Sequence, residues 1–187
     1  MRPLLTCLAL LLPVLAFGAD ADEAALWKAL RDGGHVALMR HAIAPGVGDP
    51  AGFRLDDCTT QRKLSARGRA QARAIGERFR ANGIATAAVF SSQWCRCIDT
   101  ARELALGEVV AFPGLNSFFA DRGEEARHTA AVRALIGERA RSPLPLVLVT
   151  HQVNITALTG VFPASGEIIV LRVDGDTPSV AGRIRTD

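Results

Sequence analysis

Three short apolar segments, each leading into polar residues, constrain the fold of this chain more than any other feature of its sequence. They cover residues 35–39, 87–90 and 144–149, and their length and flanking residues are typical of buried strands. Predicted helices alternate with them, and a strand, loop and helix that repeat along a chain favour a mostly parallel sheet. The sequence therefore predicts an α/β fold, a three-layer αβα sandwich around a mostly parallel central sheet.

The remaining predicted elements complete one domain. Hydrophobic spacing and capping residues predict helices at residues 23–31, 66–81, 96–105, 126–141 and 154–160. Further strands are predicted at residues 109–112, 167–173 and 180–184, the last two joined by the hairpin signal Asp174-Gly175-Asp176. A chain of 187 residues, 49% of them apolar, can bury one sizeable core, and its sequence has no internal repeat or sign of a second domain.

The first 21 residues have the pattern of an export signal. Arg2 supplies a positive charge, an apolar run covers residues 4–17, and small residues follow at Gly18, Ala19 and Ala21. A helix of that apolar length extends about 21 Å, short of the roughly 30 Å core of a bilayer, so a permanent membrane span is the weaker interpretation. We expect residues 1–21 to be a cleaved signal peptide, residues 22–187 to form the mature domain, and the protein to be periplasmic.

Polar residues suited to phosphate chemistry stand at the ends of three predicted strands. In an open α/β sheet, ligands bind beyond the carboxyl ends of the strands, and here those ends carry Arg40-His41, residues 91–96 and Thr150-His151. Guanidinium groups hold a dianion in bidentate fashion and an imidazole can attack phosphorus, so the predicted crevice suits a phosphate ester. The net charge of +3, the scattered arginines and the 5% aromatic content give no support to a nucleic-acid groove.

Four motifs follow one another in a fixed order along the chain. The first is Arg40-His41-Ala42, and the others cover residues 64–72, 91–101 and 149–151. In this order and spacing they resemble the Arg-His-Gly, helix-start, Ser-containing and second-histidine motifs of the histidine phosphatase superfamily, over nearly all of the mature chain. The resemblance implies a phosphoglycerate mutase-like fold and an enzyme that hydrolyses phosphoric monoesters.

The resemblance also implies a role for each residue of the predicted crevice. His41 is expected to be the nucleophile that becomes phosphohistidine, Arg40 and Arg96 are expected to bind the phosphate, and His151 is expected to donate hydrogen bonds to the transferring oxygens. Because such groups can stabilise a loose phosphoryl-transfer state, no metal or other cofactor is expected. His41 must be neutral to attack, and the surrounding positive charge should help to keep it so, whereas His151 is more useful when charged.

The sequence departs from the family pattern at the proton donor. Many members have a Glu after the third strand, but residues 115–119 contain no carboxylate, and Gln152 stands where the acid phosphatase branch has Asp. The nearest acids are Asp121, Glu124 and Glu125. We expect Asp121 to be the donor, with Glu124 as the next candidate and a solvent or substrate proton as the remaining alternative. Ala42 also replaces the glycine of the first motif, which requires only a φ that is not positive.

A finer pattern, in residues 40–46, 57–62, 92–96 and 151–156, resembles a group of exported histidine phosphatases that includes the lipopolysaccharide core heptose phosphatase. It implies a periplasmic phosphomonoesterase that acts on a phosphorylated small molecule or a cell-envelope component, with the substrate itself left open. Arg62, Gln152 and Asn154 are expected to bind substrate, although Arg62 could be a surface charge and Asn154 could cap a helix. The alternative is a catalytically weak phosphate-binding protein of the same fold.

Three cysteines remain after removal of the signal peptide: Cys58, Cys95 and Cys97. In an oxidising compartment, one disulfide and one free thiol is the simplest arrangement. The resemblance places the loops that contain Cys58 and Cys95 at the same phosphate, so we expect these two to pair, although Cys97 could take the place of Cys95. A redox function for the Cys95-Arg96-Cys97 segment is a rival interpretation, but Arg96 already has a role as a phosphate ligand.

Overall fold

The computed structural model describes residues 23–139, 142–174 and 177–186, so the predicted signal peptide lies outside the described residues. The helices are α1 (Glu23–Asp32), α2 (Ala66–Ala81), α3 (Cys95–Leu104), α4 (Glu125–Arg139) and α5 (Gln152–Thr159). The strands are β1 (His35–Arg40), β2 (Ala88–Ser91), β3 (Val109–Ala111), β4 (Leu146–Thr150), β5 (Ile168–Asp174) and β6 (Thr177–Ile184). None of the helices in the described part of the chain is long and apolar enough to cross a bilayer.

All six of these strands form one sheet in the order β3-β2-β4-β1-β5-β6. The first four run parallel, whereas β5 is antiparallel to β1 and β6 is antiparallel to β5. The predicted mostly parallel α/β sheet is therefore confirmed. The predicted pairing of the last two strands is also present, although β6 begins at Thr177 rather than at residue 180. Residues 175–176 of the predicted turn lie outside the described residues.

The strands β1, β2 and β4 are buried on both faces of the sheet. Because side chains alternate along each strand, neighbouring residues pack against helices on opposite faces. On β1, Ala37 and Met39 pack in a cluster with α1, α2 and α3, whereas Val36 and Leu38 pack in a second cluster with α4 and α5. Burying each large apolar side chain contributes about 1.5–3 kcal/mol. Together these two clusters hold three layers in register and fix the carboxyl ends of β1, β2 and β4 at one edge of the sheet.

Two helices begin at this edge of the sheet, one of them earlier than predicted and the other at the predicted residue. Helix α5 begins at Gln152, two residues earlier than predicted, because His151 has extended backbone (φ −112°, ψ 161°) and forms the N-cap. Helix α2 begins after Ser65, as predicted, since the Ser65 side chain accepts a hydrogen bond from the backbone N–H of Gly68. A Cβ at Gly68 would lie 2.1 Å from the carbonyl oxygen of Ile43, so only glycine lets this helix pack against the loop after His41.

Candidate active site

The strand ends bring the predicted crevice residues into one cavity of about 780 Å³. Strands β1 and β4 pair with Arg40 opposite Thr150, and the backbone N–H of His41 donates to Thr150 at 2.9 Å. This pairing holds the rings of His41 and His151 with their centroids 5.5 Å apart. Of the residues predicted to act in catalysis or substrate binding, the cavity wall includes Arg40, His41, Arg62, Arg96, Asp121, His151 and Gln152.

His41 is buried and held in one tautomer. Its Nδ1 lies 2.8 Å from the carbonyl oxygen of Ala42. A carbonyl can only accept, so the ring proton lies on Nδ1 and the lone pair on Nε2. Burial, and after it the positive charge of Arg96, lowers the pKa of His41 to about 3. The neutral form expected from the sequence is therefore favoured, with burial a larger cause than the neighbouring charge. The Nε2 lone pair accepts a hydrogen bond from Arg96 Nε at 3.3 Å.

His151 presents the opposite ring nitrogen to the same arginine. Its Nδ1 lies 3.4 Å from Arg96 Nη2, and its Nε2 lies 2.8 Å from the hydroxyl oxygen of Ser92. Because Nδ1 accepts from Arg96, the ring proton lies on Nε2 and is donated to Ser92. Burial, followed by the charge of Arg96, lowers the pKa of His151 well below its ordinary value. The surroundings of His151 therefore favour the neutral ring, whereas the sequence reasoning held the charged ring to be more useful.

Arg96 lies at the centre of the site and is paired with Asp49. Its Nη1 donates to Asp49 Oδ1 at 2.7 Å and its Nη2 donates to Oδ2 at 3.1 Å. Arg96 is buried and Asp49 is largely covered, with side chains 3% and 10% exposed. Asp49 also accepts from the indole N–H of Trp94 at 2.9 Å and from the backbone N–H of Arg62 at 3.3 Å. Four donors therefore converge on this carboxylate, as they would on a bound anion.

Arg40 and Arg62 also line the cavity and add to its positive charge. Arg40 is partly buried, and its Nη1 donates to the carbonyl oxygen of Pro163 at 2.9 Å. Its Nε is buried, and no group in the described part of the chain accepts its hydrogen. Arg62 donates to the carbonyl oxygens of Gly48 and Ala44 and so supports the loop that carries Asp49. Arg40 thus keeps an unused donor, whereas Arg62 is partly engaged in structure.

A disulfide joins Cys58 to Cys95, the pair favoured from the sequence, with their Cα atoms 5.7 Å apart. It links the loop after His41 to the first residue of α3, directly before Arg96. Cys97 is a buried free thiol, and burial raises its pKa to about 12. Its Sγ lies 3.5 Å from His151 Nε2. Because Cys95 is bonded to Cys58, the Cys-x-Cys redox pair considered above is not formed.

The other predicted residues lie farther from the chemistry. Asp121 is exposed at the cavity rim and accepts from the backbone N–H of Gly123 at 3.0 Å. Glu124 pairs with Arg127 and is not part of the cavity wall. The side chain of Gln152 donates to Thr156 at 2.8 Å, and that of Asn154 donates to the carbonyl oxygen of Asn116 at 2.8 Å. Asn154 is buried and also lies outside the cavity wall, so its contacts are structural ones.

Sequence reasoning missed Asp49 and the contact of Ser92 with His151. Asp49 stands among glycines and prolines in the loop after His41, where no motif marks it. One signal was available, because an acid in a loop that must approach a cluster of arginines has a strong reason to pair with one of them. Ser92 was part of a quoted motif, but its position at a strand end does not say which histidine it contacts.

The comparisons with known proteins agree with the family and the fold. Residues 36–124 match the model of the histidine phosphatase superfamily (branch 1). This range contains Arg40, His41, Asp49 and Arg96, whereas His151 follows it. No curated protein is similar enough in sequence to match this chain.

Solved structures with the same fold include several phosphatases. The protein histidine phosphatase SixA complexed with tungstate has a TM-score of 0.59 and 17% identity, with 81% of this chain and 97% of that chain covered. Phosphoserine phosphatase from Entamoeba histolytica has a TM-score of 0.61 and 14% identity, covering 82% and 98%. A mycobacterial glucosyl-3-phosphoglycerate phosphatase has a TM-score of 0.55 and 19% identity, covering 81% and 98%. At these identities the likeness establishes the fold alone.

Proposed function

We propose that this phosphatase, which belongs to the histidine phosphatase superfamily, hydrolyses phosphoric monoesters through a phosphohistidine formed on His41. One arrangement carries the proposal. The Nδ1 proton of His41 is held by the Ala42 carbonyl, so the lone pair lies on Nε2, where it accepts from Arg96 Nε at the cavity wall and becomes available for attack when that hydrogen bond breaks. A buried, neutral imidazole with its lone pair next to a guanidinium group is what nucleophilic attack on a bound phosphate requires.

The substrate phosphate binds among the arginines of the cavity. Arg96 offers the two parallel N–H groups of its fork, and Arg40 offers the Nε hydrogen that no described group accepts. Arg62 adds positive charge from the cavity wall. Phosphoryl transfer spreads negative charge over the equatorial oxygens, so these fixed donors stabilise the transition state more than the free substrate.

The reaction has two steps. Nε2 of His41 attacks phosphorus, the bond from phosphorus to the leaving oxygen breaks towards oxygen, and that oxygen takes up a proton as the alcohol departs. Water then attacks the phosphohistidine and gives up a proton, inorganic phosphate is released, and His41 regains its lone pair. A bound dianion raises the pKa of the nearby His151, because an opposite charge favours the protonated ring. Its Nδ1 then becomes a donor to the transferring oxygens.

We further propose that the protein is exported and acts in the periplasm on a phosphorylated small molecule or a cell-envelope component. The apolar run in residues 4–17 supports export. The Cys58–Cys95 disulfide is consistent with an oxidising compartment. Beyond the phosphate, Val47, Phe119 and Phe162 line the cavity and are exposed, so they offer apolar contacts to the rest of the substrate.

A phosphate-binding protein with weak turnover is the second candidate function. The observation that favours it is the lack of a carboxylate in residues 115–119 and at Gln152, because a site without an efficient proton donor binds phosphate but turns over slowly. Such a protein would retain phosphate in the cavity without forming a covalent intermediate.

Turnover of 4-nitrophenyl phosphate by the mature protein in the presence of a chelator tests the proposal. We expect phosphate release, and mass spectrometry after rapid quenching at neutral or alkaline pH should find a phosphoryl group on His41. Binding of inorganic phosphate by calorimetry with no turnover would support the second candidate instead. Absence of both binding and turnover would contradict both.

A further inference from the structure

Phosphate binding and the ion pair of Asp49 with Arg96 exclude each other. Arg96 directs Nε to His41, and its Nη1 and Nη2 to Asp49. No edge of the guanidinium group is left for two parallel bonds to a phosphate. A phosphate dianion carries twice the charge of the carboxylate and can displace it. Substrate binding therefore releases the Asp49 side chain into the cavity that contains the phosphate.

The loop around Asp49 is built from residues that permit this displacement. Gly46, Gly48 and Gly52 have φ values of 97°, 67° and 76°, in the left-handed region where glycine is favoured. Val47 beside them is 88% exposed, so the loop contributes little to either hydrophobic core. Asp49 is held mainly by its polar contacts with Arg96, Trp94 and the Arg62 backbone. Loss of the Arg96 contacts leaves a loop that can adjust without disturbing the fold.

We infer that Asp49 is the proton donor of the reaction: once the substrate phosphate has displaced it from Arg96, its carboxyl group protonates the leaving oxygen. The inference rests on the proposed function and adds a catalytic residue to it. It places a carboxyl group in the role for which residues 115–119 and Gln152 offer none.

The proton and electron pairs balance over both steps. In the first, the His41 Nε2 lone pair forms the bond to phosphorus, the bond from phosphorus to the leaving oxygen breaks towards oxygen, and that oxygen takes the proton of the Asp49 carboxyl group. The products are a neutral alcohol, the Asp49 carboxylate and phosphohistidine. In the second, water attacks phosphorus and gives one proton to Asp49, and the bond between phosphorus and nitrogen breaks towards Nε2. Phosphate leaves, and the carboxyl group is protonated again.

The surroundings of Asp49 change in the direction that this role needs. Burial by itself would raise the pKa of Asp49, but the hydrogen bond and charge of Arg96, with Trp94 and the Arg62 backbone, lower it overall. When a phosphate takes the place of the carboxylate on Arg96, the main lowering cause is lost and a negative neighbour is gained. Asp49 then takes up a proton from solvent. The group is charged while it pairs with Arg96 and protonated when it faces the leaving oxygen.

The donor predicted from the sequence lacks these contacts. Asp121 is exposed, and its carboxylate accepts from the backbone N–H of Gly123. Asp49, in contrast, contacts the guanidinium group that is hydrogen-bonded to both histidines. The two carboxylates line the same cavity, so a substitution at each distinguishes them directly.

The dependence of rate on the leaving group tests the inference. 4-Nitrophenolate departs readily without a proton, whereas the alkoxide of glycerol 2-phosphate needs one. For Asp49→Asn we expect kcat/KM on glycerol 2-phosphate to fall about 100-fold or more, since general acid catalysis contributes roughly 10²–10⁴. The rate on 4-nitrophenyl phosphate should change by less than about tenfold, and inorganic phosphate should inhibit more strongly because its internal competitor is gone. Asp56→Asn is the matched control, because Asp56 is a 90% exposed carboxylate in the same loop. This variant should leave kcat/KM unchanged on both substrates.

Each outcome decides the matter. Retained turnover of 4-nitrophenyl phosphate by Asp49→Asn shows that the variant is folded, so a selective loss on glycerol 2-phosphate supports the inference. Equal losses on both substrates, or no loss on either, would overturn it and leave the proposed function intact. A selective loss in Asp121→Asn but not in Asp49→Asn would assign the role to Asp121. A wild-type protein inactive on both substrates would overturn the proposed function, and the inference with it.

Discussion

His41 and His151 are buried imidazoles that present a lone pair to the same guanidinium group, yet different kinds of partner hold them. The Nδ1 of His41 donates to a backbone carbonyl at 2.8 Å, whereas the Nε2 of His151 contacts the hydroxyl of Ser92, also at 2.8 Å. A carbonyl only accepts, so it fixes one tautomer, whereas a hydroxyl can both donate and accept. The main chain therefore fixes the tautomer of the nucleophile, whereas a replaceable side chain orients the second imidazole.

Removal of each ring should separate the two roles most strongly. In His41→Ala no nucleophile remains, so we expect kcat to fall by at least about 10⁴-fold, while vanadate or phosphate still binds. In His151→Ala the covalent step remains possible, and a loss of about 10²–10³, typical of one missing transition-state donor, is expected. Steady-state kinetics and calorimetry measure both. More than a small fraction of wild-type activity in His41→Ala would contradict its role as nucleophile.

Replacement of the shared arginine should affect both histidines at once. Lys cannot offer two parallel donors, so kcat/KM of Arg96→Lys should fall roughly 30- to 1,000-fold. This fall corresponds to a loss of about 2–4 kcal/mol in transition-state stabilisation. Arg40→Lys should also lose most of its activity, but by less, since Arg96 contacts both rings and Arg40 donates to Pro163. Kinetics on one substrate compares the two variants. Full activity in Arg96→Lys would mean that Arg96 does not bind the phosphate.

The low pKa of His41 makes the stability of the fold depend on pH. The pKa is about 3 in the folded protein and about 6.5 in the unfolded chain, so the unfolded chain binds more protons as the pH falls. The stabilisation is complete above about pH 6.5 and is lost progressively down to about pH 3, and between pH 7 and pH 5 the loss is about 2 kcal/mol. Urea unfolding at pH 7 and pH 5 measures this loss. In His41→Gln the free energy of unfolding should fall between these pH values by about 2 kcal/mol less than in the wild type. An identical pH dependence in the variant would contradict a neutral, buried His41.

The parts of this comparison that the sequence predicts are those determined by strand ends. Arg40, His41 and His151 follow buried apolar runs, and a parallel sheet must bring such positions to one edge. The Cys58–Cys95 disulfide follows once the family resemblance places both loops at the same phosphate. Periodicity and chain direction are therefore enough to bring these strand-end residues together, whereas their roles and the disulfide pairing depend on the resemblance.

The parts that the sequence does not predict depend on side-chain direction within loops. Asp49 reaches Arg96 only because a loop with several glycines folds back over the cavity, and no periodic pattern records such a path. The low pKa of His151 follows first from its burial, which a strand-end position does not specify. The predicted start of α5 lies two residues after the observed start for a similar reason, since the sequence does not show that His151 itself is the N-cap.

The smallest expected effect is the most specific test of how the two imidazoles differ. Ser92→Ala removes the oxygen partner of His151 Nε2, leaving the weaker contact with Cys97 Sγ, and keeps the Ala42 carbonyl of His41 in place. Loss of this hydrogen bond costs about 1 kcal/mol, so kcat should fall roughly fivefold with little change in KM. Nitrogen-15 NMR of the ring nitrogens should show a changed tautomer balance for His151 and an unchanged Nδ1–H form for His41. A change at His41 of the same size would contradict the view that the main chain alone fixes the nucleophile.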